Sequence, residues 1–195
     1  TDDSTGIDPG VICYEMYPRE SEGWWATWSK IEIFGREEIK KYQKKIYFDL
    51  DLVIQGSITP ILEHDADWAA IECPWKGKIF RLTHPGESII NTSVMVWKDI
   101  TWIYDKWESD WKNIVRNYRG TDYWYHVNGL RPTSLPKVFY SYREGSKPSH
   151  YWVNGMKPYL QYQPDYSVCL FHQKPDLHEL DKSNRLYKIW HETVS

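Results

Sequence analysis

Two aspartates, Asp49 and Asp51, stand two residues apart at the end of the apolar run Lys45-Ile46-Tyr47-Phe48, and Leu52-Val53-Ile54 follows at once. Residues i and i+2 of an extended chain point to the same side, so the spacing predicts two carboxylates facing one point at the edge of a sheet. Hard oxygen donors of this kind suit Mg²⁺ or Mn²⁺. A second apolar run, Val168-Cys169-Leu170-Phe171, ends in His172, with Lys174 and Pro175 just beyond. An imidazole completes a mixed oxygen/nitrogen Mn²⁺ site, and a lysine beside it reaches a phosphate as a mobile point charge. Asp49, Asp51 and His172 are therefore the candidate metal ligands. A bare D-x-D arises often by chance, and an isolated histidine is more often a hydrogen-bonded surface residue. What favours the ligand reading is that each stands at the end of an apolar strand.

The elements that must position these groups alternate in type. Val11 to Met16, Lys45 to Phe48, Ala69 to Glu72, Val138 to Tyr142 and Val168 to Phe171 read as short strands. Trp24, Trp25, Trp28, Ile31 and Phe34 recur at helical spacing, with Gly35 as a stop. Thr59-Pro60 reads as an N-cap followed by proline at the first helical position. Residues 73–86 are dense in proline and glycine and read as loop. Ser88 to Trp97 is a strand-like run interrupted by Asn91-Thr92-Ser93. Asp99 caps a helical pattern that runs to Asn117, and Thr121 to Val127 predicts a further short helix. Gly145 to Pro164 is a long loop without a period, of the kind that often binds. Strands alternating with helices predict an α/β fold, a mostly parallel sheet flanked by helices. In such sheets the ligand crevice lies at the carboxyl ends of the strands, where the acidic pair falls.

Bulk properties narrow the function classes. The net charge of −3 gives no general pull toward nucleic acid. No apolar run is long enough for a membrane span. Cys13, Cys73 and Cys169 are scattered and odd in number, as expected of reduced thiols in a cytoplasmic protein. Twelve Trp and 15 Tyr exceed the needs of a core of this size; they either line a cleft for sugar rings or bases, or reflect aromatic-rich packing. One domain over residues 1–195 is expected. The chain opens Thr-Asp-Asp, with no Met and no signal pattern. A first strand and helix normally precede such a position in a parallel-sheet domain, so an N-terminal nucleotide-binding segment is expected upstream.

Two enzyme classes use such an acidic pair: GT-A glycosyltransferases, to hold a metal that bridges the donor diphosphate, and haloacid dehalogenase-type phosphohydrolases, with Asp49 as nucleophile and Asp51 as general acid. Phe48-Asp49-Leu50-Asp51-Leu52-Val53 fits the opening motif of the second, but no later acidic pair follows an apolar strand. The order of several segments resembles GT-A glycosyltransferases of the glycogenin/lipopolysaccharide galactosyltransferase group, and small bacterial and phage relatives. Thr1-Asp2-Asp3 with Gly6-Ile7 resembles the end of the family's second strand. Gly23-Trp24-Trp25 with Trp28 to Phe34 resembles the helix that carries a basic residue, here Lys30, to the donor site. Tyr47 to Ile54 with Gly56-Ser57-Ile58 resembles the metal motif and its exit. Asn91-Thr92-Ser93-Val94-Met95 resembles the N-[ST]-[GS]-V-M segment that faces the donor sugar. Gly120-Thr121-Asp122 keeps one acid of a D-Q-D motif, and Phe171-His172-Gln173-Lys174-Pro175 resembles a shortened H-x-G-x-x-K-P.

The resemblance implies a metal-dependent hexosyltransferase that retains anomeric configuration and uses Mn²⁺ or Mg²⁺. Its partners would be a nucleotide-sugar donor and a glycan, lipid or protein acceptor. It also implies catalytic roles for Asp122 and Lys30, and donor binding by Asn91, Ser93 and Lys174. Asn91-Thr92-Ser93 matches an N-glycosylation acceptor as well, which carries no weight in a cytoplasmic chain. Three alternatives stay open: the phosphohydrolase, a non-catalytic aromatic-rich glycan-binding domain, and a sugar-nucleotide-forming nucleotidyltransferase.

Overall fold

The structure is a computed structural model that describes residues 8–14, 26–146, 162–172 and 175–192. In chain order the helices are α1 (Ala26–Ser29), α2 (Glu32–Gly35), α3 (Glu37–Lys40), α4 (Thr59–Leu62), α5 (Lys78–Thr83), α6 (Thr101–Glu108), α7 (Trp111–Asn117), α8 (Thr121–Val127) and α9 (Arg185–Glu192). The strands are β1 (Lys45–Phe48), β2 (Leu52–Ile54), β3 (Trp68–Glu72), β4 (Ile90–Trp97), β5 (Thr133–Ser134), β6 (Phe139–Ser141) and β7 (Val168–Leu170), and a 3₁₀ turn spans Leu177–Glu179.

Strand alternation builds the layers. Trp68, Ala70, Met95 and Trp97 face one side of a four-stranded sheet of order β1-β4-β3-β5. There they meet Phe34 of α2, Ile103 and Trp107 of α6, Ile114 of α7, and Trp124 and Tyr125 of α8. Their neighbours Ala69, Ile71, Val94 and Val96 face the other side, against Ile61 of α4 and Phe139, Val168 and Leu170 of a second sheet of order β2-β7-β6. The far face of that sheet, Val53, Tyr140 and Cys169, is covered by Leu177, Leu180 and Leu186 from the 3₁₀ turn and α9. Each fully buried aliphatic or aromatic side chain in these clusters stabilises the fold by roughly 1.5–3 kcal/mol. Much of the tryptophan excess goes into this core. Trp28, Trp68, Trp75, Trp97, Trp107 and Trp124 are all buried, with Trp28 edge-on to Trp124 at 6.4 Å and Trp68 edge-on to Tyr125 at 5.2 Å.

The α/β class is as expected, but the described ladders are not mostly parallel. β1–β4, β3–β4 and β2–β7 are antiparallel; only β3–β5 and β6–β7 are parallel. The reason lies in the connections. No described side chain of α5 joins the clusters that cover either sheet face. The chain therefore does not cross over the sheet between β3 and β4 but turns back at the strand end. α5 itself falls where proline and glycine suggested only loop. The helical stretch ending at Phe34 is broken at Lys30-Ile31 into α1 and α2, and the stretch from Asp99 to Asn117 into α6 and α7. Asp99 Oδ1 still accepts the Thr101 N–H at 3.0 Å. Pro60 sits in the first turn of α4, while Ser57 Oγ accepts the N–H of Thr59 at 3.3 Å. Residues 11–14 form no strand; Glu15 and Met16, the segments at Thr1–Ile7 and Gly23–Trp25, and residues 147–161 of the long loop lie outside the described residues.

Cys73 and Cys169 are free and buried, and burial pushes each thiol up to about 12; Cys13 is exposed.

Candidate functional site

The acidic pair occupies the point where the chain changes sheet. β1 pairs with β4 through Phe48↔Val94, and the Asp49 N–H continues that ladder to Ser93 O at 2.8 Å. After a bend at Leu50, the carbonyl of Asp51 accepts the Phe171 N–H at 2.9 Å, and Leu52 opens β2 opposite Leu170. Asp49 is thus fixed to the first sheet and Asp51 to the second, so the pair is held by a bend rather than by one extended strand. The antiparallel register of β2 with β7 brings His172 within electrostatic reach of the Asp51 carboxyl.

Asp49 is engaged within the protein. Lys30, in the break between α1 and α2, places Nζ 3.0 Å from both Asp49 oxygens. Its side chain and that of Asp49 are 10% and 20% exposed, so the pair is shielded enough to be worth more than a surface ion pair. Tyr47 OH donates to Asp49 Oδ1 at 2.5 Å, and burial followed by the Asp49 charge holds the phenol well above its ordinary range. Lys30 is also 3.5 Å from Thr92 Oγ1, which donates to Asp122 Oδ1 at 2.5 Å. A chain Tyr47–Asp49–Lys30–Thr92–Asp122 therefore links β1, the α1–α2 break, β4 and α8, and all of its members but Tyr47 line one cavity. Burial raises the Asp122 carboxyl; Lys30 and the Thr92 bond work against that rise.

Asp51 differs. No side chain among the described residues donates to it. Although the residue is open to solvent, the surrounding protein pushes its carboxyl up, the Asp49 charge adds to this, and Lys30 and His172 only partly offset it. His172 stacks on Trp75, with ring centroids 5.2 Å apart and planes 25° apart. Its Nε2 lies 3.1 Å from Ser141 Oγ and 3.6 Å from Glu144 Oε1, while its buried Nδ1 has no hydrogen-bond partner. An imidazole nitrogen without a partner, on a residue within electrostatic reach of a carboxyl that is only partly offset, suits a divalent cation. The ligand atoms of Asp49, Asp51 and His172 do not all lie within 4.8 Å of one another, and Asp49 is turned to Lys30 and Tyr47. Among the described residues the group that does meet that distance is Asp176, His178 and Glu179. There Asp176 and Glu179 close a capping box on the 3₁₀ turn, so local backbone already uses both carboxylates.

Asn91 and Ser93 line adjoining chambers of one cleft. Asn91 borders a cavity of about 370 Å³ with His172, Glu144 and Trp75; Ser93 borders one of about 330 Å³ with Lys30 and Asp49. Asp122, Lys76, Glu87 and Arg119 border both. The interruption expected at this trio is a break in one ladder only. The β3–β4 register jumps from Ala70↔Met95 to Ile71↔Asn91, so Thr92, Ser93 and Val94 have no β3 partner, while β4 continues along β1. Such a bulge re-aims side chains, and here Asn91 Oδ1 accepts the Ser93 N–H at 2.9 Å to shape it. Lys174 lies outside the described residues.

Sequence reasoning missed Tyr47, Thr92, Trp75, Lys76, Arg119, Ser141 and Glu144. Tyr47 was within reach, since it stands at i−2 from Asp49 on a strand. Thr92 was passed over between the two residues that flank it. Ser141 and Glu144 carried no local signal, because only the parallel pairing of β6 with β7 brings them to His172.

No family model matches the chain, and no curated protein matches it. Among solved structures, the galactosyltransferase LgtC in complex with donor and acceptor sugar analogues superposes with a TM-score of 0.53 at 14% identity, covering 91% of this chain and 68% of that one. An active-site mutant of LgtC superposes with a TM-score of 0.55 at 14% identity, covering 90% and 70%. With two layered sheets flanked by helices and this correspondence over most of its length, the chain has a GT-A-like glycosyltransferase fold.

Proposed function

We propose that this chain is a divalent-metal-dependent glycosyltransferase that moves a hexose from a nucleoside-diphosphate sugar to a glycan, lipid or protein acceptor, with retention of configuration. One observation carries the reading: at the sheet junction Asp51 lies within electrostatic reach of Asp49, Lys30 and His172, and His172 keeps an orphaned Nδ1. The GT-A-like fold supports it.

On this reading Asp49, Asp51 and His172 hold Mn²⁺ or Mg²⁺. When bound, such an ion acts as a Lewis acid toward the negative charge that develops on a departing diphosphate. Lys30 gives the cleft a fixed positive charge near the same point. It is held there by Asp49, so it is preorganised rather than solvated. Asp122, anchored by Thr92, and the bulge residues Asn91 and Ser93 orient sugar hydroxyls. Tyr47, kept protonated, fixes the Asp49 rotamer. Lys174 adds charge toward the diphosphate. Among the described residues no helix is long and apolar enough to cross a membrane.

The test is a panel of nucleotide sugars assayed for Mn²⁺-dependent transfer and donor hydrolysis, with phosphoesters run in parallel. Metal-dependent release of nucleoside diphosphate that falls about 10²–10³-fold in Asp51→Asn is the expected result. Phosphate release from simple phosphoesters, without turnover of any nucleotide sugar, would replace the reading with a phosphohydrolase using Asp49. Sugar binding with no turnover at all would make the chain a binding domain.

A further inference from the structure

His172 is held on three sides. Trp75, itself 2% exposed, stacks on its ring and fixes the plane. Ser141 Oγ meets Nε2 at 3.1 Å, and the Glu144 carboxylate stands 3.6 Å from the same nitrogen. Ser141 ends β6, which runs parallel to β7 with Ser141 opposite Leu170, so the two strands deliver Ser141 and His172 to the same edge. A tight turn then folds Glu144 back. Ser141 and Gly145 exchange backbone hydrogen bonds at 3.0 and 2.8 Å, Gly145 takes φ +82°, and the Glu144 N–H donates to Ser141 Oγ at 2.9 Å. Glu144 is 6% exposed and Ser141 is fully buried.

This arrangement has a consequence for the proton on the ring. A neutral imidazole carries one N–H and one lone pair. If the proton were on Nδ1, a buried donor would stand without an acceptor, at a cost of about 1–3 kcal/mol, and the lone pair on Nε2, though able to accept the Ser141 hydroxyl, would face the Glu144 carboxylate. With the proton on Nε2, the N–H donates to Ser141 Oγ in the field of Glu144, and Nδ1 keeps its lone pair.

We propose that Glu144 and Ser141 are positioning residues that set the tautomer of His172, holding the proton on Nε2 so that Nδ1 is the nitrogen offered to the divalent ion. This rests on the metal-dependent reading above. Outer partners of this kind fix ring orientation and raise ligand basicity, and their loss typically weakens metal binding about 10–100-fold.

Two measurements on the full chain test it. Long-range ¹H–¹⁵N correlation spectra of metal-free, ¹⁵N-histidine-labelled protein, with His172 assigned by His172→Gln, read the tautomer directly. Calorimetric titration with Mn²⁺ reads affinity in wild type, Glu144→Gln and Ser141→Ala, each first checked for an unchanged melting profile. The expected results are a proton on Nε2 in wild type, a shift of the population toward protonated Nδ1 in Glu144→Gln, and Mn²⁺ affinity reduced about 10–100-fold in that variant and less in Ser141→Ala. Because Glu144→Gln keeps the volume, packing loss alone would move neither the tautomer nor the titration. A wild type that binds Mn²⁺ with the proton on Nδ1, or variants that bind it as wild type does, overturns the positioning role and leaves the metal reading standing. A wild type that binds no Mn²⁺ overturns both.

Discussion

Asp49 and Asp51 are separated by one residue, yet the protein treats them in opposite ways. Asp49 receives both a lysine and a phenol, and its lysine is itself tied through Thr92 to Asp122. Asp51 receives no side chain among the described residues, and its carboxyl is pushed up by its surroundings and by Asp49. The first acid belongs to a self-compensated network that exists before any ligand arrives. The second is a negative charge held in place at a cost. A sequence motif of two like residues thus separates into a structural half and a receptive half, and the division coincides with the change of sheet at Leu50.

The largest effect should come from the receptive half. Asp51→Asn should lower sugar transfer by about 10²–10³-fold and abolish the stabilisation that Mn²⁺ is expected to give wild type. For wild type that stabilisation free energy should approach about 2.7 kcal/mol at a hundred times the dissociation constant. Full Mn²⁺ stabilisation in Asp51→Asn would erase the distinction between the two acids.

Lys30→Met attacks the compensated half and should act with the opposite sign on metal. Denaturant unfolding should show a loss of about 2–3 kcal/mol, because a shielded ion pair and its hydrogen bonds are broken from one side. Mn²⁺ titration should at the same time show tighter binding, since a competing cation has left Asp49. If affinity falls instead, Asp49 depends on Lys30 for its position, and the two halves are not separable.

Thr92→Val keeps shape but removes the hydroxyl between Lys30 and Asp122. A loss of about 1–2 kcal/mol is expected, with little change in Mn²⁺ affinity. Equal effects on stability and on metal would show that the network extends to Asp51 after all.

The smallest effect is a pH dependence. A carboxyl whose folded pKa is raised binds more protons in the native than in the unfolded state between the two values, so it lowers stability as pH rises through that window. Removing Asp51 removes its share. Without metal, the melting temperature of Asp51→Asn relative to wild type should therefore rise as pH moves from about 4 toward neutrality, and Mn²⁺ should reverse the difference. A pH-independent difference would show that Asp51 carries no charge strain.

The legible parts of this molecule are those encoded along the chain. The run into Phe48 and the run from Val168 are strands because apolar residues cluster between polar breaks, and each ends in a candidate ligand as read from sequence. Lys30, Asp49, Asn91, Ser93 and Asp122 all border the same cleft. What failed depends on three-dimensional closure. Strand direction could not be read, because a connection of given length can cross a sheet or turn back beside it, and only the packing of α5 decides between them. The break at Lys30 was hidden by a helical rhythm that continues through it. Glu144 was invisible because its partner is 28 positions away in sequence and reaches it only through the β6–β7 pairing.

The bend at Leu50 has one more consequence. The backbone of Asp49 is bonded to Ser93 in one sheet, and that of Asp51 to Phe171 in the other; Leu50 between them is 98% exposed. An ion shared by the two carboxylates would cross-link two layers that are otherwise joined here by a single solvent-washed residue. Amide exchange at Asp49 and at Phe171 should then become correlated, slowing together on metal addition though the two protons lie in different ladders. A cofactor bound for chemistry would double as a mechanical staple, and its departure would leave the two ladder ends at this junction free to fray independently, while the apolar packing between the sheets stays in place.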